Sequence, residues 1–294
     1  MKKVKVNREY KSSIFISLFG SENNKGNLLQ LYNALAKTNY TDINALTLTT
    51  LDDVLYMDVK NDVSFLIDSR MNLYEHQSTF NPNMPLRGLI YFAHLYQSYI
   101  EKSGISIFGS TLIKIPTPQY VIFYNGIRCK VPDKTFLKLS DAFINKEKAK
   151  GFEWTATMLN INIGHNKVLF EKCRLLWEYS MFVDLTRKFI KESKEPVDGI
   201  RKAVDECIKR NILKEFLIEK QSEVIAMCLF NFDREKYEKT IKNEGKDEGR
   251  KEGEFFTIYN FIKQGLVSIE QAASAMGLTT QQLLDNFKKF NLAL

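Results

Sequence analysis

The sequence predicts a mixed α/β core followed by an α-helical extension, and three observations carry that expectation. Apolar residues recur at helical spacing from Tyr10 to Leu35 and again through "PLRGLIYFAHLYQSYIEK". Strand-like runs bounded by polar turns fill the space between these helices and the stretch after them. From Lys167 the helical period returns and persists almost to the end of the chain. At 294 residues with 44% hydrophobic side chains, the chain is long enough to bury a sizeable core.

Each element has a local reason. Ile14, Phe15, Leu18 and Phe19, then Leu28, Leu29, Leu31, Tyr32 and Leu35, form helical stripes, and the stretch from Gly20 to Gly26 breaks them into two helices. Between Asn44 and Ser78 the runs "DVLYMDV", "DVSFLID" and "NLYEHQS" read as strands. The next helix has Asn83 before it as a cap and Pro85 in its first turn. Strands return in "YVIFYNG", where Asn125-Gly126 signals a turn, in "FLKLSDAF" and in "FEWTATMLNIN". Helices follow through "VLFEKCRLLWEYSMFVDLTRKFI", "DGIRKAVDECIKRNILKEFLIEK" and "EVIAMCLFNF". The stretch "NEGKDEGRKEGE" repeats Glu-Gly every four residues, which suits a solvated helical linker or a glycine stripe for dimerisation. Beyond it, Ser268 and Thr279 as caps and Gly265 and Gly277 as stops mark short helices. The expected division is therefore residues 1–166 as α/β core, 167–242 as helical extension, 243–254 as charged linker and 255–294 as a small helical module.

Composition narrows the function classes. Lys and Arg number 19 against 13 Asp and Glu in residues 1–150, and 23 against 22 in the remainder. The basic surplus on the core favours an anionic partner such as nucleic acid. Cys129, Cys173, Cys207 and Cys228 are far apart with no Cys-x-x-Cys pair, which fits a reducing cytoplasm and argues against structural zinc. The N-terminal stretch is interrupted by Arg8, Glu9 and Lys11 without a clear cleavage site after it, so no signal peptide is expected. No apolar run approaches the ~20 residues that cross a bilayer. A cytoplasmic protein without a membrane partner is the expectation. The phosphate-cradling glycine motifs are absent, which leaves nucleotide-driven chemistry unsupported. His94 and His165 lack hydrolase or zinc spacing and read as surface and loop or capping residues, while Tyr91, Phe92, Tyr96 and Tyr99 read as core.

The hairpin "NDVSFLIDSRMNLYEHQST" carries the candidate chemistry. Alternation puts Glu75 and Gln77 on one face of their strand and Tyr74 and His76 on the other. A four-residue loop over Asp68 to Met71 would set Asp62 opposite Gln77 and Ser64 opposite Glu75, all on one face. A loop one residue longer or shorter would send Asp62 to the other face. In the favourable register two carboxylates converge, and a hard divalent cation both answers their repulsion and supplies phosphoryl chemistry. Gln77 is placed to hydrogen-bond water or a phosphate oxygen. The pattern alone also fits a turn aspartate beside two solvated strand residues.

The stretch "KNDVSFLIDSRMNLYEHQSTFNPNMPLRGLIYFAHLY", with "KSSIFISLFG" before it and "IPTPQYVIFYNG" and "TATMLNINIGHNK" after it, resembles the recombination-promoting nuclease and putative transposase family of the PD-(D/E)XK nuclease superfamily. The similarity runs through the helical region to the Glu-Gly repeat. It implies a restriction-endonuclease-like mixed β-sheet core flanked by helices, and a Mg²⁺- or Mn²⁺-dependent DNA endonuclease linked to recombination or mobile elements. The resemblance maps the motif aspartate to Asp62 and the Glu-x-Gln variant of Glu-x-Lys to Glu75 and Gln77. It implies metal ligation by Asp62, Glu75 and the backbone carbonyl of His76. Arg87 and Tyr91, one helical turn apart, match the pattern of the following helix and would position a phosphate or brace the carboxylates. One departure stands out: where relatives often carry a first-helix acid, this chain has Ser12, Ser13 and Ser17, and Glu9 lies one turn earlier. That departure keeps open an alternative, a catalytically impaired DNA-binding or oligomerising protein derived from such a nuclease.

The tail "GLVSIEQAASAMGLTTQQLLDNFKKF" has helix–turn–helix rhythm, but only Lys288 and Lys289 are basic after Lys263. A DNA reader normally needs several phosphate contacts. The tail is therefore expected to make protein contacts, as a homo-oligomer. Deleting residues 243–294 should change the oligomeric state in sedimentation or light scattering more than the salt slope of DNA binding. A flattened slope with unchanged assembly would make the tail a DNA contact instead.

Overall fold

The computed structural model describes residues 6–7, 9–49, 62–127, 130–145, 147, 151–229, 259–260, 262–263, 267–276 and 278–289. The strand expected at 53–59, the linker at 243–254, the extension beyond 229, Cys129, Gly265 and Gly277 lie outside these residues. The chain divides into two units, Met1–Asn231 and Phe232–Leu294.

The first unit opens with helices α1 (Tyr10–Phe19) and α2 (Lys25–Ala36), followed by strands β1 (Thr47–Leu48), β2 (Val63–Ile67) and β3 (Arg70–Gln77). Helix α3 (Met84–Ser103) leads to β4 (Thr117–Tyr124), β5 (Lys134–Lys138) and β6 (Thr155–Asn160). Five helices complete the unit: α4 (Lys167–Lys172), α5 (Arg174–Glu192), α6 (Pro196–Lys209), α7 (Lys214–Glu219) and α8 (Gln221–Leu229). The mixed α/β architecture is thus a six-stranded sheet in the order β1-β2-β3-β4-β6-β5, flanked by helices. Strands β3, β4 and β6 run parallel, and β1–β2, β2–β3 and β5–β6 pair antiparallel.

The hairpin register differs from expectation in a way that preserves the site. Asp68 and Ser69, with φ of 52° and 55°, form a two-residue turn rather than part of a four-residue loop. Positive φ at both central residues matches the right-handed strand twist, and aspartate tolerates that conformation better than most residues. Val63 now faces Tyr74 and Ser64 faces Leu73, so the pairing slides by two residues. A slide of two keeps every side chain on its expected face. Asn125-Gly126 closes no hairpin, because β4 pairs with β3 and β6. The end of "FLKLSDAF" is a 3-10 turn, Leu139–Ala142, instead of strand. Asn83 precedes α3 without a side-chain cap; its own N–H donates to Asn81 Oδ1 at 2.9 Å.

Both faces of the sheet are covered, which is why β4 reads as a continuous apolar run. Helix α3 packs Tyr91, Phe92 and Leu95 against Leu73, Tyr120, Ile122 and Met158. On the opposite face Phe15 of α1 has ring centroids of Phe123, Tyr179 and His76 at 5.2, 5.7 and 6.1 Å. Helices α4 to α8 belong to this same unit, so residue 166 separates sheet from helices within one body. The chain start is tied to α8: Asn7 N–H donates to the Cys228 carbonyl at 2.9 Å and its amide to the Met227 carbonyl at 3.0 Å. Cys173, Cys207 and Cys228 are buried free thiols. Among the described residues, no helix is long and apolar enough to cross a membrane.

In the second unit α9 (Ile269–Ala275) and α10 (Thr280–Lys289) pack around Tyr259, Ala272, Ala273, Leu283 and Phe287. Ser268 and Thr279 cap them as expected. Each hydroxyl accepts the N–H three residues on at 3.2 Å, and Gln271 and Gln282 return the bond at 2.9 Å.

The α5–α6 contact leaves no room at Gly199, where an added Cβ would sit 2.6 Å from Ile190 Cα and 2.7 Å from the Phe189 carbonyl oxygen. Those are backbone atoms that cannot swing aside. Gly199→Ala should therefore destabilise by about 1–3 kcal/mol through overpacking, although alanine is intrinsically the better helix former. A lower urea midpoint checks this; a higher one would mean the helices are not in contact there.

Candidate active site

Strand β3 ends with three residues aimed in alternate directions, and β2 begins just after Asp62. The Asp62 carboxylate is fastened at both oxygens: Oδ1 accepts the Ser12 hydroxyl and Oδ2 the His76 backbone N–H, each at 2.7 Å. This joins α1, the start of β2 and the end of β3 at one group. Ser12, noted in the sequence for lacking a charge, is thus a direct partner of Asp62. Glu9 lies close enough for its charge to act on Asp62, but its side chain makes no cap bond to α1. Ser13 bonds the Glu9 carbonyl and Ser17 Oγ is buried without a partner, so neither stands beside the carboxylates in Ser12's way.

Glu75 is only 2% exposed. Arg87 approaches its Oε2 at 3.3 Å and also donates to the Tyr91 hydroxyl at 2.8 Å. Oε1 is buried with no well-formed hydrogen bond among the described residues, with Tyr91 and Gln77 near enough to act on the carboxylate. Burial first, then the Asp62 charge, push the Glu75 carboxyl up from 4.5 to about 8, against the opposing pull of Arg87, Tyr91 and Gln77. Burial likewise raises Asp62, and the Ser12 and His76 bonds oppose it. Two carboxylates that resist ionisation because of burial, one of them also because of the other's charge, are the arrangement a cation relieves.

The backbone supplies a further oxygen. Gln77 gives its carbonyl to Asn125 N–H on the β4 side at 3.0 Å, so the neighbouring His76 turns its own peptide groups to the β2 side. There its N–H meets Asp62, and the carbonyl leaves the same strand edge. The His76 ring lies on the other face, buried among Phe15 and Tyr179, where burial lowers its pKa to about 3. It is a neutral core group. Among the described residues no group of three or more His, Cys, Asp and Glu side chains is gathered as a metal cluster. A cation here would rest on Asp62, Glu75, the His76 carbonyl and water, a set that fits a hard, oxygen-seeking ion.

Asp62, Glu75, Gln77, His76, Arg87 and Tyr91 therefore meet, with Glu9 at the rim. What sequence reasoning missed lies behind His76: Lys11 of α1 and Arg187 of α5. Arg187 donates to the carbonyl and Oδ1 of Asn125 and to Asn162 Oδ1. Nothing local marks a residue 62 positions from its partner. No family model, curated protein or solved structure matches this chain.

The Glu75 shift has a pH signature. A carboxyl whose folded pKa is raised contributes stability below its unfolded value near 4.5, and that contribution is lost as pH rises toward about 8. Glu75→Gln removes the ionisation. In chelator its melting midpoint should match the parent's below about pH 5 and exceed it by several degrees above about pH 8, at about 2–4 °C per kcal/mol. A gap that fails to widen with pH would contradict the buried, Asp62-facing carboxylate.

Proposed function

We propose that this chain is a divalent-metal-dependent endodeoxyribonuclease with a restriction-endonuclease-like core. It would belong to the recombination-promoting nuclease and putative transposase family within the PD-(D/E)XK superfamily. The observation that carries the reading is the pairing of half-buried Asp62 with buried Glu75 at the carboxyl end of β3, with one Glu75 oxygen lacking a well-formed hydrogen bond among the described residues. The sequence resemblance supplies DNA as substrate and the link to recombination or mobile elements, and the basic surplus of residues 1–150 suits a polyanion.

Asp62 and Glu75, with the His76 carbonyl, would hold Mg²⁺ or Mn²⁺. When bound, the ion supplies positive charge that polarises a phosphoryl oxygen and acidifies attacking water. Ser12 and the His76 N–H fix the Asp62 carboxylate in one orientation, so its geometry is set before substrate arrives. Gln77 offers an amide N–H to water or to a phosphate oxygen but cannot act as a base. Arg87, 39% exposed on its side chain, can hold Glu75 with one part of its guanidinium and offer other N–H groups to a phosphate.

Ser12 in place of an acid favours a second reading, a catalytically impaired DNA-binding protein built on the same scaffold. Supercoiled plasmid, with and without Mg²⁺ or Mn²⁺, separates the two. The full chain should nick or linearise it only with metal, and Asp62→Asn or Glu75→Gln should slow cutting by at least ~10²-fold, the upper range for losing even an outer partner of a metal ligand. Glu75→Ala excludes a contaminating nuclease. Equal cutting by the variants would move the site elsewhere, and no cutting by the parent with intact DNA binding would favour the second reading.

A further inference from the structure

The carboxylate pair uses one face at the carboxyl end of the parallel strands; the opposite face carries positive charge for which the chemistry above has no role. Lys11 of α1 and Arg187 of α5, both half-buried, lie there near enough for each charge to act on the His76 ring and for Arg187 to act on Lys11. Helix α5 is docked on α1 by the Tyr179 hydroxyl, which donates to the Lys11 carbonyl at 3.0 Å. Arg187 follows two turns later on the same face of α5. Its guanidinium is held by neutral acceptors only: Asn125 and Asn162. The Lys11 ammonium lies 5.6 Å from the centre of the Tyr10 ring. Among the described residues neither cation forms an ion pair with a carboxylate.

Two like charges brought together at a partly dry surface without a counter-charge raise the free energy of the folded chain. Burial and then the Arg187 charge lower the Lys11 pKa to about 7, which records that strain. Beside them the Asn125 amide lies near enough to act on the His76 ring and the Tyr179 hydroxyl, but among the described residues buried Asn125 Nδ2 and His76 Nε2 reach no well-formed hydrogen bond. Water would satisfy the neutral atoms but leave both cations uncompensated. An oxyanion answers both needs, and phosphate oxygens accept from an ammonium, a guanidinium and an amide together. The position adds direction: Tyr179, which adjoins this group, also feels the Asp62 charge. Ligands of open α/β sheets gather at the carboxyl ends of parallel strands, where both sets of residues lie.

We propose that Lys11 and Arg187 form a phosphate-binding subsite next to the carboxylate pair, holding a backbone phosphate of bound nucleic acid other than the one cut. A polynucleotide as the source rests on the function proposed above; free phosphate shares the same oxyanion chemistry.

Both sources can be tested with the full chain in chelator, where no cutting competes. Binding of a short fluorescein-labelled DNA duplex is followed by anisotropy across a salt series for the parent, Lys11→Gln, Lys11→Arg and Arg187→Lys. Separately, melting midpoints are compared in inorganic phosphate and in chloride at matched ionic strength. Lys11→Gln should weaken duplex binding about threefold or more at moderate salt and make the salt slope shallower by about 0.9, with Lys11→Arg restoring it. Arg187→Lys should bind more weakly with the parent's slope, since charge stays and the fork is lost. Loss of phosphate-specific stabilisation in Lys11→Gln with an unchanged duplex slope would keep the subsite and make free phosphate its source. A folded Lys11→Gln protein with the parent's slope and phosphate response would overturn the assignment. So would a parent-like duplex affinity combined with a parent-like phosphate response in Arg187→Lys, which reads the site even if Lys11→Gln does not fold. Failure of the parent to cut with Mg²⁺ while Lys11→Gln still flattens the slope would sink the nuclease reading alone.

Discussion

Burying a carboxylate at Glu75 constrains everything around it. An ionised carboxyl in an apolar wall costs several kcal/mol unless charge or hydrogen bonds meet it. Here Arg87 meets one oxygen, Tyr91 and Gln77 lie near the carboxylate, and among the described residues no well-formed hydrogen bond reaches the other oxygen. Tyr91 orients Arg87, the α3 helix carries both, and the packing of α3 on β3, β4 and β6 keeps water from Glu75. The strain is local and only partly relieved by these neighbours, which is the usual condition of a group kept for what it binds.

Strand β3 makes this possible because each of its last three residues serves a different direction. Glu75 and Gln77 side chains point toward α3, the His76 ring toward α1 and α5, and the His76 peptide along the sheet plane to Asp62. One strand end thus has an acidic side and a basic side about one sheet thickness apart. Because Ser12 and Lys11 are consecutive on α1, a single helix turn touches both.

Much of this arrangement was legible in the sequence. The period of two in "NLYEHQS" separated Glu75 and Gln77 from His76, and the 3.6-residue period placed Arg87 one turn from Tyr91. The hairpin loop was misjudged because Asp68 and Ser69 are not the Asn-Gly or Asp-Gly pair that usually announces a two-residue turn; the site survived because the error was an even number of residues. Asn125-Gly126, the strongest turn dipeptide in the chain, instead ends a buried parallel strand, where Arg187 takes its carbonyl. Ser12 was visible only as a missing charge. Lys11 and Arg187 carry no pattern at all, since their meeting depends on how α5 is docked, and docking is a property of the whole core.

The bonds from Asn7 to the carbonyls of Met227 and Cys228 have a bearing on how the protein is made. Residues at the front of α1 are locked in place only when the end of α8 arrives, more than two hundred positions later. A ribosome delivers the chain N-terminus first, and units of this kind fold as wholes. The growing polypeptide therefore carries both partners of the Asp62 carboxylate, Ser12 and the His76 N–H, long before the Asn7 clasp can close on α8. Biosynthesis would thus deliver the parts of the site early and the clasp that ties the segment before α1 to α8 last.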